Sequence, residues 1–283
     1  MASIDLHFHS TASDGALAPD EVIRRAAERQ ATLVALTDHD CTRGLELARS
    51  TAHELGLPFL NGVEASISWG SKLQTIHIVG LGIDPGYAPL SEGLASVRRG
   101  RVARAELMAR DLARIGIPGA FEGAMAHCSN PEMISRTHFA RFLVSSGEVK
   151  DVRTVFRKYL TPGKPGYVAH QWATLADAVG WIVNSGGVAV IAHPGRYDLG
   201  RTLTERLIEE FKDAGGAGIE VASGSHSLDD MHKYALIAQR FGLWSSAGSD
   251  FHALGEGCRD VGRTDDLPPI CRPVWELLSD RIV

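Results

Sequence analysis

Cysteine is scarce in this 283-residue chain: Cys41, Cys128, Cys258 and Cys271 stand far apart, with no C-x-x-C pair. The usual zinc-ribbon spacing is therefore absent, and the expectation is free thiols in a reducing compartment. No apolar run reaches the ~18 residues that span a bilayer. The opening MASIDLHFHS has no basic start followed by an apolar stretch, so no signal peptide is read. Both absences point to a soluble cytoplasmic protein without a membrane partner. A basic excess is missing too: 29 Lys+Arg stand against 34 Asp+Glu, a net charge of −5. That argues against a broad surface for long duplex nucleic acid, but leaves room for a local basic pocket.

What is present is an ordinary globular composition, 44% apolar and 22% charged, with 30 glycines that imply many turns. At about 150 residues per domain the length suggests two units, although barrels of about 250 residues often form one. Short apolar runs alternate with helical patterns, the rhythm of repeated βα units. Strands are predicted at 4–9, 33–37, 59–64, 75–80, 188–192, 218–221 and 243–247. Helices are predicted at 19–30, 43–55, 175–184, 202–214 and 227–241. Pro19 suits a first helical turn and Gly56 a helix C-cap. The rhythm breaks between residues 89 and 171, where helical patterns at 90–115, 136–146 and 152–159 run without a convincing strand. The expected organisation is an α/β barrel domain made of 1–88 and 172–283, interrupted by a helical insertion at 89–171 that contributes to substrate binding.

Half of the 12 histidines fall at strand ends beside carboxylates. In Asp5-Leu6-His7-Phe8-His9, strand alternation places Asp5, His7 and His9 on one face and Ile4, Leu6 and Phe8 on the other. A lone H-x-H is weak evidence, but Asp14 follows it, the second strand ends in Thr37-Asp38-His39-Asp40, and the third ends in Gly62-Val63-Glu64. His77 interrupts an apolar run, the fifth strand leads into Ala192-His193-Pro194-Gly195, and the seventh into Ser249-Asp250-Phe251-His252. Six of the seven predicted strands thus deliver a histidine or carboxylate to the end of a barrel where active sites are built. Six imidazoles and three carboxylates suit two or three cations with vacant positions. Without thiolate, that ligand set fits Mn, Fe or Zn. Asp5 and Asp38 are read as acceptors that orient the ligating imidazoles.

Taken in order, Asp-Leu-His-Phe-His, Thr-Asp-His-Asp, Gly-Val-Glu, Ala-His-Pro and Ser-Asp-Phe-His resemble the motifs of the PHP (polymerase and histidinol phosphatase) superfamily. The stretches Ile134-Ser135-Arg136-Thr137-His138-Phe139-Ala140-Arg141, Tyr159-Leu160-Thr161-Pro162-Gly163-Lys164 and Ala192-His193-Pro194-Gly195-Arg196-Tyr197 resemble one branch of it. That branch holds bacterial 3′,5′-nucleoside bisphosphate phosphatases and the related 5′-to-3′ exoribonucleases. The resemblance implies a distorted (β/α)7 barrel and a trinuclear metal site, with manganese as the leading metal. His7, His9, Glu64 and Asp250 would hold one ion. Glu64 would bridge to a second held by His77 and His193. Asp14, His39 and His252 would hold the third.

Such a cluster suits phosphoester hydrolysis, because bound water is acidified and paired cations stabilise attacking and leaving oxygens. The expected reaction removes the 3′-phosphate of adenosine 3′,5′-bisphosphate, giving AMP and phosphate, with trimming of short oligonucleotides by the same geometry. Ser135, Arg136, His138, Lys164 and Arg196 are the candidates for gripping the second phosphate, since arginine binds phosphate bidentately. Asp40 and His138 are the candidate general acids. The alternatives are a histidinol phosphatase, an amidohydrolase-type metal hydrolase and a noncatalytic PHP-like module.

Overall fold

The computed structural model describes residues 3–71, 73–257 and 259–283. One seven-stranded sheet runs in chain order: β1 (Ser3–Phe8), β2 (Ala31–Leu36), β3 (Phe59–Trp69), β4 (Gln74–Leu81), β5 (Val188–Ile191), β6 (Gly218–Ser223) and β7 (Trp244–Gly248). The seam closes where Asp250 N–H donates to the His7 carbonyl and Phe8 bridges to Phe251. The result is a nearly closed barrel, as the βα rhythm implied.

Period-2 alternation divides each strand between two cores. Leu33, Ala35, Leu60, Val79, Leu81, Val190 and Ala192 point into the barrel, whereas Val34, Leu36, Ile76, Ile78, Ala189 and Ile191 face the surrounding helices. Those helices are α1 (Pro19–Glu28), α2 (Leu45–Leu55), α8 (Leu175–Asn184), α9 (Arg201–Asp213) and α10 (Leu228–Phe241). Pro19 opens α1, and Gly56 ends α2 in the left-handed region at φ 63°. At the opposite end, Val274 and Leu278 of the C-terminal segment fill the barrel mouth.

Two departures from simple repetition shape the rim of the barrel. First, no helix separates β3 from β4. β3 runs on to Trp69, turns, and pairs antiparallel with β4, which also pairs antiparallel with β5. Second, β1 does not alternate strictly. Its pairing with β2 shifts register between Asp5 and Phe8, so Leu6 enters the barrel interior while Phe8 joins the outer core. The expectation that Ile4, Leu6 and Phe8 share one face is thereby corrected: the irregularity rotates the chain inside the strand.

Between β4 and β5 lie α3 (Ala88–Arg98), α4 (Arg101–Arg114), α5 (Ala120–Ala126), α6 (Arg136–Ser145) and α7 (Val152–Val155), with α7 widening into a π-helical turn at Phe156–Leu160. Leu90 and Leu94 of α3 pack in the main core, whereas Met108, Leu112, Phe139, Leu143 and Leu160 form a separate one. No described helix is long and apolar enough to cross a membrane. Cys41, Cys128 and Cys271 are free, and Cys258 lies outside the described residues.

Candidate metal centre and substrate cleft

Parallel strands bring their C-terminal ends to one rim of the barrel, and this carries His7 and His9 from β1, His39 from β2, His193 from β5, and Asp250 and His252 from β7. Glu64 comes from inside β3. His77 sits in the first half of β4, which reaches the same rim because that strand runs the other way.

All nine sequence candidates meet in one cluster. His9, Asp14, His39 and His252 can focus ligand atoms on one point; so can His7, Glu64 and His193, then His7, His9 and Asp250, then His39, Glu64 and His77. Glu64 is central: its Oε1 lies 2.9 Å from His77 Nδ1, 3.0 Å from His193 Nε2 and 3.3 Å from His7 Nε2, and its Oε2 lies 2.7 Å from His39 Nδ1. His252 Nε2 approaches Asp14 Oδ1 at 3.4 Å, and His9 Nε2 approaches Asp250 Oδ1 at 3.1 Å.

The donor set fits divalent cations. His7 Nε2, His9 Nδ1, His193 Nδ1, Asp14 Oδ1 and Glu64 Oε2 are buried and make no hydrogen bond. Unmet polar atoms of this kind cost about 1–3 kcal/mol each, and imidazole nitrogens and carboxylate oxygens are what such cations take. Charge is packed tightly enough to displace the ordinary proton affinities. Burial, with His252 and His39 beside it, pushes His9 down to about 3. Burial would raise Glu64, but His77, His39 and His7 hold it well below the usual carboxylate range. Burial would lower His252, but Asp14 and Asp250 push it up to about 9. The backbone is strained at the same rim: Asp40, His193 and Asp250 have φ of 44°, 27° and 52°, a region side-chain-bearing residues seldom adopt.

The carboxylate that orients an imidazole is not one of those expected. Asp5 accepts backbone N–H bonds from Ser249 (2.8 Å) and Gly262 (2.7 Å), tying β1 to the β7 end. Asp38 accepts from Ser10 N–H (2.8 Å), Ser10 Oγ (2.6 Å) and Ser13 Oγ (2.5 Å), fixing the turn that carries Asp14. Both act on backbone and hydroxyl groups, which corrects the reading from alternation. Burial pushes each up to about 6. Glu220 of β6 takes the expected part instead: its Oε1 lies 2.5 Å from His7 Nδ1 and its Oε2 accepts the His193 N–H at 2.6 Å. The signal was available as a lone glutamate in the apolar run Gly218-Ile219-Glu220-Val221.

Asp14, His39 and His77 form one side of a cleft whose other side is Arg101, Arg104, Ser135, Arg136, Phe156 and Trp172. The guanidiniums of Arg101 and Arg104 lie 4.7 and 5.4 Å from the Trp172 ring centre, and Arg136 lies 5.7 Å from that of Phe156. Arg101 pairs with Asp40. Arg104 donates to the Val168 carbonyl at 2.9 Å and Arg136 to that of Leu160 at 3.4 Å. Neither of the latter two has a carboxylate partner among the described residues. Burial, then the neighbouring Arg136 and Arg101, push Arg104 down to about 9. Arg101 and Arg104 escape sequence reasoning because a charged helix reads as a solvated one.

The remaining candidates scatter. Ser135 caps α6 and donates to Asp14 Oδ2 at 2.9 Å. His138 is buried, its Nδ1 accepts the Ser135 N–H at 3.0 Å, and burial lowers it to about 4. A ring neutral at pH 7 is poorly suited to give up a proton. Asp40 is occupied as an acceptor from Ser66 N–H (2.7 Å), Ser66 Oγ (2.9 Å) and Arg101, so it holds an arginine rather than offering a proton. Lys164 is exposed on its turn and does not line the cleft. Arg196 reaches the cluster itself and pairs with Asp250.

Comparison with known proteins agrees with this geometry. The sequence profile of the PHP domain matches residues 5–224. The chain is 69% identical to the 3′,5′-nucleoside bisphosphate phosphatase of Chromobacterium violaceum, over 100% of this chain and 99% of that one. It is 42% identical to the 5′-3′ exoribonuclease Rnm of Salmonella typhimurium, over 96% of this chain and 92% of that one. Among solved structures, a candidate metal-dependent phosphoesterase of Bifidobacterium adolescentis superposes with a TM-score of 0.82 at 26% identity, covering 98% of this chain and 96% of the other. The profile spans most of the sequence and every strand end but the last, and the relatives align along nearly all of it: the chain belongs to the PHP domain family.

Proposed function

We propose that this protein is a metal-dependent phosphoesterase that removes the 3′-phosphate of adenosine 3′,5′-bisphosphate and of related nucleotides. The observation that carries the reading is the cleft: ligand-type side chains line one side, and three guanidiniums with a single carboxylate partner line the other. A substrate with a phosphate at each end matches both sides. Histidinol phosphate has one phosphate and leaves the arginines without an anion. An amide substrate gives them no use at all. The Chromobacterium relative, named for nucleoside bisphosphates, supports the same choice.

In this reading His7, His9, Glu64 and Asp250 hold one cation, Glu64, His77 and His193 a second, and Asp14, His39 and His252 a third. Manganese is the first choice, with iron and zinc as alternatives. Cations so held supply a nucleophile near neutral pH and stabilise charge on the phosphoryl oxygens. The chain's own residues do the positioning. Arg104 and Arg136 bind the distal phosphate. Asp40 orients Arg101 toward it, and the Trp172 ring lies against the guanidiniums of Arg101 and Arg104. Glu220 holds His7 and the His193 backbone in place. Arg196, now on Asp250, is near enough to meet the phosphate under attack. Phosphoryl transfer depends on such positioning and charge neutralisation more than on covalent help. The α4 and α6 arginines come from the 89–171 region, which therefore serves as the substrate-binding part of the molecule.

A second reading, removal of 5′ nucleotides from short oligonucleotides, uses the same grip and is favoured by the exoribonuclease relative. The test is phosphate release by manganese-loaded protein from adenosine 3′,5′-bisphosphate, 3′-AMP, 5′-AMP and histidinol phosphate. We expect a preference for the bisphosphate, and a KM raised about 10- to 100-fold in Arg104→Ala for that substrate but little changed for 3′-AMP, as loss of a charge-assisted contact implies. Activity on histidinol phosphate alone would overturn the assignment.

A further inference from the structure

Beside the cleft lies a second cationic groove, of about 360 Å³, lined by Arg43, Ala95, Arg98, Arg99, Val102 and Glu132. Three guanidiniums line it with one carboxylate, which pairs with two of them. Glu132 lies 2.9 Å from Arg43 Nη2 and 3.5 Å from Arg98 Nε, and its side chain is 53% exposed. Arg99 has no ion-pair partner among the described residues, and the buried Arg98 Nε makes no hydrogen bond. A surface salt bridge would need one cation; this arrangement keeps two in excess.

The groove adjoins the site through one residue. Arg98 Nη1 donates to the Asp40 carbonyl at 2.6 Å, while the Asp40 carboxylate holds Arg101 in the cleft. Asp40 directly follows His39 of the ligand cluster, and Glu132 precedes Ser135 of the cleft by three residues. Asp40 thus joins the two, its carbonyl facing an arginine of the groove and its carboxylate an arginine of the cleft.

We propose that this groove binds the phosphodiester chain of an oligoribonucleotide on the 3′ side of the cleaved bond. The inference rests on the nucleotide phosphoesterase reading. A nucleoside bisphosphate has two phosphates, and the metal cluster and the cleft arginines already account for both. A third cationic site has use only for a longer chain, whose next phosphate must leave past the rim of the cluster. Val102, 37% exposed, and Ala95 offer apolar surface on which a ribose or base edge rests.

The test is the double variant Arg43→Ala/Arg99→Ala, compared with wild type in two assays. One is hydrolysis of adenosine 3′,5′-bisphosphate. The other is fluorescence-anisotropy binding of a 5′-phosphorylated hexaribonucleotide with phosphorothioate linkages. We expect bisphosphate kcat/KM to be unchanged, which also reports a folded variant. Hexamer affinity should fall about tenfold, and the slope of log affinity on log salt should shrink by about 1.4, at about 0.7 per phosphate contact on a single strand. Equal hexamer affinity in both proteins overturns the proposal. So does a wild type that hydrolyses the bisphosphate but does not bind the hexamer; in both cases the phosphatase reading stands. Hexamer binding that depends on the two arginines, without bisphosphate hydrolysis, would instead fail the phosphatase reading and keep the groove. If polyglutamate displaces the hexamer from the wild type more strongly than an equally charged oligonucleotide does, the occupant is an acidic protein and the nucleic-acid assignment is overturned.

Discussion

At the residue scale, the carboxylate with the largest consequence outside the ligand set is Glu220. It is buried, spans His7 and the His193 backbone, and fixes which His7 nitrogen faces the cluster. Glu220→Gln keeps the shape but weakens the acceptor. We expect metal affinity to fall about 10- to 100-fold, measured by competition with a chelating dye, since partners behind metal ligands carry effects of that size. His226 does similar work from farther away. Its Nε2 accepts the Gly195 N–H at 3.0 Å and its Nδ1 lies 2.9 Å from the Val221 carbonyl, so it braces the strained turn that carries His193 and Arg196. Accepting at Nε2 requires a neutral ring, and burial lowers His226 below its ordinary 6.5. Above pH 6.5 neither folded nor unfolded chain protonates it. As pH falls below 6.5 the unfolded chain binds the proton first, so stability is lost in that window. His226→Gln should flatten the fall of Tm between pH 7 and 5 relative to wild type, and His226→Ala should cost about 1–3 kcal/mol at pH 7.5. A Tm profile unchanged by the glutamine variant would remove this account. Most of the nine ligand candidates were legible because they follow or interrupt an apolar run, where a polar residue has no other reason to be, and Asp14 because it lies in the turn just past the first such run. Arg101 and Arg104 were not: at spacing i, i+3 in a charged helix, nothing in the sequence says that this face is the buried one.

At the element scale, position is set by strand direction and by close approach between strands. The antiparallel β4 explains why a histidine in the first half of a strand reaches a rim built from strand ends. Sequence rhythm missed this because the β3–β4 turn was hidden by the shorter strands predicted at 59–64 and 75–80. The register irregularity in β1 was equally illegible: alternation predicts faces only while pairing stays regular, and the shift between Asp5 and Phe8 depends on the neighbour, β2. The seam between β1 and β7 is a tight joint at the site. A Cβ on Gly248 would lie 2.3 Å from His7 Cβ and 3.0 Å from the His7 backbone nitrogen. No rotamer change relieves that contact. Gly248→Ala should therefore push β7 away from β1, lower stability by about 1–3 kcal/mol, and shift His7 relative to Asp250. Thermal denaturation with metal content after dialysis checks both effects; normal metal content together with a normal Tm would show that the seam yields without disturbing the ligands.

At the scale of the whole molecule, the barrel separates chemistry from closure. One rim gathers imidazoles, carboxylates and strained backbone, where each polar group is placed at some cost to folding. The other mouth is sealed by apolar packing: Leu278 and Val274 fit among Leu6, Leu33, Leu60 and Leu81, and Val283 exchanges backbone hydrogen bonds of 2.9 and 3.0 Å with Phe59. Leu278 is 1% exposed, and Gly82 is kept small beside it, since a Cβ there would lie 2.7 Å from the leucine. Removing that side chain should leave a cavity which the rigid strands around it cannot close. We expect Leu278→Ala to lose about 2–5 kcal/mol, read as a lower denaturation midpoint in urea. Because the substitution lies at the far mouth, kcat/KM for adenosine 3′,5′-bisphosphate should be unchanged well below the melting transition. If activity instead falls with stability at low temperature, the two ends are mechanically coupled, and the strands transmit the loss of packing to the ligand rim.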